Sequence, residues 1–167
     1  LGFDGRVVNS ELGYGLQNLL QEKNVKINCS NDLVGEIWTS RPAMSCEPIW
    51  SLDVKYAGKS TVETLSDLRD AMKKNKAQIH LMTALDEIAW LFNLRGNDIV
   101  NNPVFLSYAL ITQDEAYLYV QKEAIKEDTK MGKEVCMALA EAKVQVKEYA
   151  EFLQDVAALK NEKILLE

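Results

Sequence analysis

The run TALDEIAWLFNLRG, residues 83–96, constrains the fold more than any other part of the sequence. Thr83 precedes an acidic turn containing Asp86, and a hydroxyl followed three residues later by a carboxylate is the pattern that caps the start of a helix. Apolar residues then recur at helical spacing as far as Phe92. We therefore expect a short helix with one buried face, in which Trp90 and Phe92 contribute to the core.

The end of the same run predicts a polar turn over residues 93–97. Gly96 is free to adopt a positive φ there, so that a short loop delivers Arg95 to the surface. On this interpretation Trp90 is structural and Arg95 is not. We expect Trp90→Ala to destabilise the fold and Arg95→Ala to have little effect on stability.

Helical and strand patterns alternate along the rest of the chain, which predicts an α/β fold with a mixed β-sheet flanked by helices on both faces. Residues 1–8, 10–21 and 25–29 predict a strand, a helix and a strand. Gly13 and Gly15 weaken that helix by about 1 kcal/mol each, so we expect it to pack closely on a sheet. The remaining predicted strands cover residues 79–84, 104–112, 116–120, 144–147 and 163–166, and the remaining predicted helices cover residues 31–38, 60–72, 85–92, 131–142 and 152–159. Residues 113–115 predict a hairpin between two of these strands.

Composition narrows the classes of partner. The chain has 167 residues, a net charge of -6 and scattered basic residues, which disfavours binding to nucleic acid or to an anionic membrane. The three cysteines form no C-x-x-C pair and indicate reduced thiols in a cytoplasmic protein. Because the sequence opens with Leu1 rather than methionine, we expect a fragment of a longer protein.

Residue types that carry catalysis are scarce. The single histidine, His80, lies in a predicted strand, where a half-exposed or hydrogen-bonded side chain is expected rather than a metal ligand or a base. Residues 57–61, AGKST, end like a phosphate-binding loop, but Asp53 stands where that motif needs a glycine. Ser60 is therefore interpreted as a helix cap, with Glu63 completing a capping box.

Residues 83–96 closely resemble the middle domain of the three-domain aminopeptidase P enzymes, which are X-prolyl aminopeptidases. Two further segments are similar to that family: LVGEIWTSRP at residues 33–42 and YAGKS at residues 56–60. The resemblance extends over most of the chain, from about residue 2 to residue 166. It implies the creatinase/prolidase N-terminal domain fold, with a ribonuclease-H-like core.

The resemblance also implies how the chain is organised. Residues 1–167 would form one domain of this type, in which residues 1–47 close a preceding domain and residues 39–51 form an internal linker. The catalytic domain of the family, with its pita-bread fold, would lie outside this chain. That domain would hold two manganese ions, whereas no cofactor is expected here.

Two hypotheses from different classes follow. The first is a non-catalytic domain of a metal-dependent X-prolyl aminopeptidase that shapes substrate access and assembly. Its partner would be the catalytic domain of the parent protein, a homodimer is left open, and peptide would be met only in the full-length enzyme. The resemblance nominates Asn93, Leu94, Arg95 and Gly96 as residues of an interface or of the substrate entrance, with no catalytic residue. The alternative is a free-standing protein-interaction module that reuses the fold without a peptidase domain.

Overall fold

The computed structural model describes residues 1–166, and the chain divides into two compact units, Leu1–Met44 and a second unit that begins at Ser45. The boundary lies within the predicted linker, whose last residues, from Ser45 onward, are part of the second unit. How far residues 1–47 belong to a preceding domain stays a prediction. Among the described residues, no helix is long and apolar enough to cross a membrane.

The first unit contains helix α1 (Ser10–Gln21) and helix α2 (Leu33–Ile37). Asn9 caps α1 by accepting from the Leu12 amide at 2.8 Å, as expected of an asparagine at this position. The strands predicted at residues 1–8 and 25–29 do not form, and a single parallel bridge between Gly2 and Asn28 takes their place. The two glycines of α1 have no neighbouring atom within 4 Å of an added Cβ, so the expected close packing on a sheet was wrong.

The second unit alternates short strands with helices. Its strands are β1 (Trp50–Ser51), β2 (Ile79–Met82), β3 (Leu94–Arg95), β4 (Tyr108–Thr112), β5 (Ala116–Val120), β6 (Val144–Glu148) and β7 (Ile164–Leu165). Its α-helices are α3 (Val54–Ala57), α4 (Thr61–Lys74), α5 (Leu85–Leu91), α6 (Lys130–Glu141) and α7 (Phe152–Ala158). Strand β4 begins four residues later than predicted, after an irregular segment.

The main sheet has the strand order β6-β5-β4-β2-β7. Strands β2, β4 and β5 pair antiparallel, whereas β6 and β7 pair parallel to their neighbours. The turn between β4 and β5 is the predicted hairpin, and the Thr112 hydroxyl stabilises it by accepting from the amides of Asp114 and Glu115. The mixed sheet is therefore confirmed.

Each face of this sheet has its own apolar cluster. On one face Met82, Ala109 and Ile111 lie in the main core, which also includes buried residues of α4, α5 and α6. On the other face Ile79, Leu81 and Leu110 pack with Phe152 from α7. Helices thus cover both faces, as the α/β prediction requires.

Helix α4 begins with the predicted capping box. The Glu63 amide donates to the Ser60 hydroxyl oxygen, and the Glu63 carboxylate accepts from the Ser60 amide at 2.8 Å. Ser60 therefore serves as a helix cap, as predicted. Helix α5 is different, because it begins at Leu85 with Ala84 at the cap position, one residue after Thr83. An alanine methyl group cannot accept a hydrogen bond, so the cap assignment of Thr83 was one residue off.

Candidate functional site

The segment after α5, residues 93–96, holds the four nominated residues together in one corner of the second unit. Asn93 reverses the chain with a φ of 51°, which asparagine tolerates better than most residues. Leu94 and Arg95 then form β3, which pairs with Ser51 and Trp50 of β1. The predicted polar turn was wrong, because a two-stranded ladder takes its place and the positive φ falls on Asn93.

Gly96 is required for space rather than for backbone conformation. A Cβ added at Gly96 would lie 2.7 Å from the Cβ of Phe105 and 3.2 Å from the Val104 carbonyl oxygen. Carbon atoms in contact normally stay about 3.5–4.0 Å apart. Gly96 therefore lets the segment around Phe105, which is fully buried, close over the corner.

Two threonines of α4 satisfy the end of α5. The Thr64 hydroxyl donates to the Leu91 carbonyl at 2.7 Å, and the Thr61 hydroxyl donates to the Phe92 carbonyl at 3.0 Å. Carbonyls in the last turn of a helix have no partner within the helix, so buried ones need such donors. This pair was not predicted from the sequence, although two hydroxyls three residues apart on the apolar face of a helix are a usable signal.

Arg95 completes the same set of contacts. One guanidinium nitrogen, Nη1, donates to the carbonyls of Ala89 at 2.7 Å and Leu94 at 2.8 Å. Partial burial lowers the pKa of this guanidinium, but arginine stays charged in proteins. Within residues 1–166 no carboxylate oxygen pairs with it inside 4.0 Å. Arg95 is thus a half-buried cation held by backbone carbonyls, not a side chain on a solvated loop.

Trp90 differs from Arg95, because its side chain is largely in contact with solvent. Its side chain is 54% exposed, whereas Phe92 is fully buried two residues later. Burial of Phe92 confirms its predicted place in the core, but the same prediction for Trp90 was wrong. Of the four nominated residues, Asn93, Leu94 and Gly96 are buried and Arg95 is half-buried.

The lone histidine has a structural environment. His80 is 7% exposed, and its Nδ1 lies 3.1 Å from the Leu165 carbonyl oxygen. The tautomer with the proton on Nδ1 donates that hydrogen bond. The hydrogen-bonded alternative predicted for His80 is confirmed. The described part of the chain contains no group of three or more His, Cys, Asp or Glu side chains arranged to hold a metal ion.

Comparison with known proteins identifies the fold. The family model described as the creatinase/prolidase N-terminal domain matches residues 40–167. The chain belongs to this family. The match covers the whole corner and the main sheet.

Relatives of known name extend the comparison. A protein of Sordaria macrospora named as a probable Xaa-Pro aminopeptidase P is 46% identical over 133 residues, covering 79% of this chain and 21% of the relative. Aminopeptidase P1 of Arabidopsis thaliana is 33% identical over 166 residues, covering 99% of this chain and 25% of the relative. This member of the creatinase/prolidase N-terminal family therefore spans about a fifth to a quarter of the length of these relatives.

A solved structure supports the same assignment. The X-prolyl aminopeptidase of Caenorhabditis elegans superposes with a TM-score of 0.80 and 27% sequence identity, covering 93% of this chain and 25% of that one. That protein is described as a cytosolic enzyme with a di-nuclear active site. The predicted creatinase/prolidase N-terminal fold and the resemblance to aminopeptidase P are both confirmed.

Proposed function

We propose that this chain is a non-catalytic domain of a metal-dependent X-prolyl aminopeptidase, where it shapes access to the active site and holds the domain assembly together. Its family, the names of its relatives and the small share of their length that it spans support this role. The described residues do not fit a dinuclear metal site, since they offer no suitable group of ligands. The chemistry is accordingly assigned to another part of the parent protein.

The parent removes an N-terminal residue that precedes proline. Its catalytic domain would hold two metal ions, proposed to be manganese, and they would supply the activation of the attacking water. The C. elegans enzyme, with its di-nuclear active site and cytosolic location, supports both the metal pair and a cytoplasmic parent. The catalytic domain is the direct partner of this chain, and the peptide substrate is met only in the full-length enzyme.

One observation carries the role of the corner: Arg95 is a positioned cation without a carboxylate partner among residues 1–166. Two backbone carbonyls hold its Nη1 atom, which fixes the plane of the guanidinium. The remaining N–H groups can donate in pairs to a carboxylate or to peptide carbonyls. A group of the catalytic domain or of the bound peptide is the partner that we assign to them.

The test uses the full-length parent with Arg95→Ala and Arg95→Lys. Arg69→Ala is a matched control, because Arg69 is also half-buried and donates from Nε to a backbone carbonyl, that of Thr112, at 3.1 Å. We expect Arg95→Ala to lower kcat/KM for an X-Pro peptide while bound metal is retained. Lysine should recover part of the loss, because an ammonium cannot make the paired contact.

The assay temperature must lie well below the unfolding transition of each variant, so that loss of folded protein does not count as loss of activity. Arg69→Ala should leave kcat/KM unchanged. Wild-type kinetics for Arg95→Ala would show that the corner only terminates helix α5 and does not affect catalysis. A parent without X-prolyl aminopeptidase activity would overturn the function itself.

A further inference from the structure

A groove runs between α4 and α5 on the surface of the second unit. It has a volume of about 540 Å³, within the range of roughly 300–1,000 Å³ typical of small-ligand sites. Its floor is formed by Leu68, Met82 and Leu91, with His80 at the strand beneath. We call it the α4–α5 groove. None of residues 93–96 lines it, although Thr64 and Leu91, whose hydrogen bond closes the end of α5, lie in its wall.

The rim of the groove is acidic and aromatic. Asp86, Glu87 and Trp90 project from one side of α5, and Asp67 projects from α4. Asp67 is paired with Lys59 at 2.5 Å. Neither Asp86 nor Glu87 is in an ion pair with any residue in the described part of the chain. Two unpaired carboxylates therefore flank a half-exposed indole ring.

This combination selects a particular chemistry. An indole face attracts lysine or arginine, and adjacent carboxylates strengthen that attraction. Tryptophan is also among the side chains enriched in the few positions that carry most of the binding energy at protein interfaces. A segment with an apolar side chain next to a lysine or arginine can place the apolar group on the floor of the groove and the cation against its acidic and aromatic rim.

We propose that the α4–α5 groove docks such a segment from the part of the parent polypeptide outside residues 1–167. The inference rests on the proposed function and goes beyond it, because it adds a second contact surface and states the charge of its partner. The share of the relatives' length outside this chain, about three quarters or more, provides the source of the segment. A second copy of this chain fits less well, since two copies with a net charge of -6 repel each other.

The test is hydroxyl-radical footprinting, which measures the oxidation rate of each side chain by mass spectrometry. Trp90 is followed in the 167-residue chain and in the full-length parent at equal radical dose. We expect oxidation several-fold slower in the parent, because the docked segment covers the ring. Equal rates in the two proteins would overturn the proposal.

Charge reversal tests the chemistry of the docked segment. Glu87→Lys in the parent should restore fast oxidation of Trp90, whereas the control Glu141→Lys, on an exposed helical glutamate outside the groove, should not. Protection that survives Glu87→Lys would rule out a cationic partner. Protection that disappears on dilution would assign the groove to a second copy and overturn the proposal.

The two proposals fail separately. An inactive parent with Trp90 protected would remove the enzymatic function and keep the docking surface. An active parent whose kcat/KM responds to Arg95→Ala, but whose Trp90 is oxidised as fast as in the 167-residue chain, would remove only the docking surface.

Discussion

The two units of the chain both contain amphipathic helices, but they differ in how many apolar side chains they bury. No residue from 1 to 44 is buried, whereas the second unit contains two buried apolar clusters, one on each face of the main sheet. The shorter first unit exposes eleven large apolar side chains, as many as the described part of the longer second unit. A helical pattern is enough to form α1, but a core needs a second layer for the helix to cover.

The largest test of this comparison is a matched pair of leucine truncations. Leu91 in α5 is 1% exposed, and Leu19 in α1 is 63% exposed. Leu91→Ala should lower the free energy of unfolding by about 2–5 kcal/mol, and Leu19→Ala should change it by about 0.5 kcal/mol or less. Denaturant unfolding measures both. Similar losses for the two variants would show that α1 is covered in solution.

A second test compares two side chains within the second unit, the half-buried Arg95 and the largely exposed Trp90. Arg95→Ala removes the donor to two backbone carbonyls and should cost about 1–3 kcal/mol. Trp90→Ala should cost about 1 kcal/mol or less, because more than half of the ring is already in water. Thermal and denaturant unfolding of the two variants decide the order. A larger loss for Trp90→Ala would restore the ranking predicted from the sequence.

The smallest expected effect concerns acid stability. In the second unit, hydrogen bonds from Lys147 at 2.6 Å and from Tyr119 at 2.7 Å lower the pKa of Asp155. A lowered folded-state pKa stabilises the fold above the unfolded value of about 3.9, and this contribution is lost as the pH falls through the folded pKa. Asp155→Asn should therefore remove about 1 kcal/mol at neutral pH and flatten the loss of stability below about pH 4.

The matched variant in the first unit is Asp4→Asn. Arg6 lowers the pKa of Asp4 to about 2 by hydrogen bonding; the Asp4 side chain is 14% exposed, but the Arg6 side chain of this pair is 63% exposed. Solvent screens such pairs, so the unfolding free energy measured from pH 2 to pH 7 should follow the wild-type curve. A flattened acid limb for Asp4→Asn, but not for Asp155→Asn, would reverse the comparison.

The sequence predicted the features that depend on local pattern. The capping box at Ser60, the hairpin after Thr112 and four helices of the second unit, α4 to α7, follow from spacing and turn chemistry. The resemblance carried by residues 83–96 predicted the family. The role of the corner as an interface stays a prediction, since the fold and the comparisons do not test it.

The sequence failed where distant segments decide the outcome. Trp90 and Phe92 are both aromatic residues in the same apolar run. The packing of α5 against α4 and the sheet buries Phe92 and leaves Trp90 exposed. Gly96 is needed because Phe105 approaches it, and Arg95 is half-buried because β1 pairs with β3. None of these contacts is visible in the spacing of apolar residues.

The pairing of β2 with β7 has a consequence for the order of events during synthesis. His80 pairs with Leu165 of β7, and its Nδ1 donates to the Leu165 carbonyl oxygen, 85 positions later. A ribosome adds about 5–20 residues per second, so the β2 edge waits on the order of ten seconds for its neighbour. An unpaired strand edge is a site of mispairing with other chains. Slow translation of the segment after α6 would lengthen that exposure. The β2 edge stays open to mispairing with other chains until β7 has been synthesised and pairs with it.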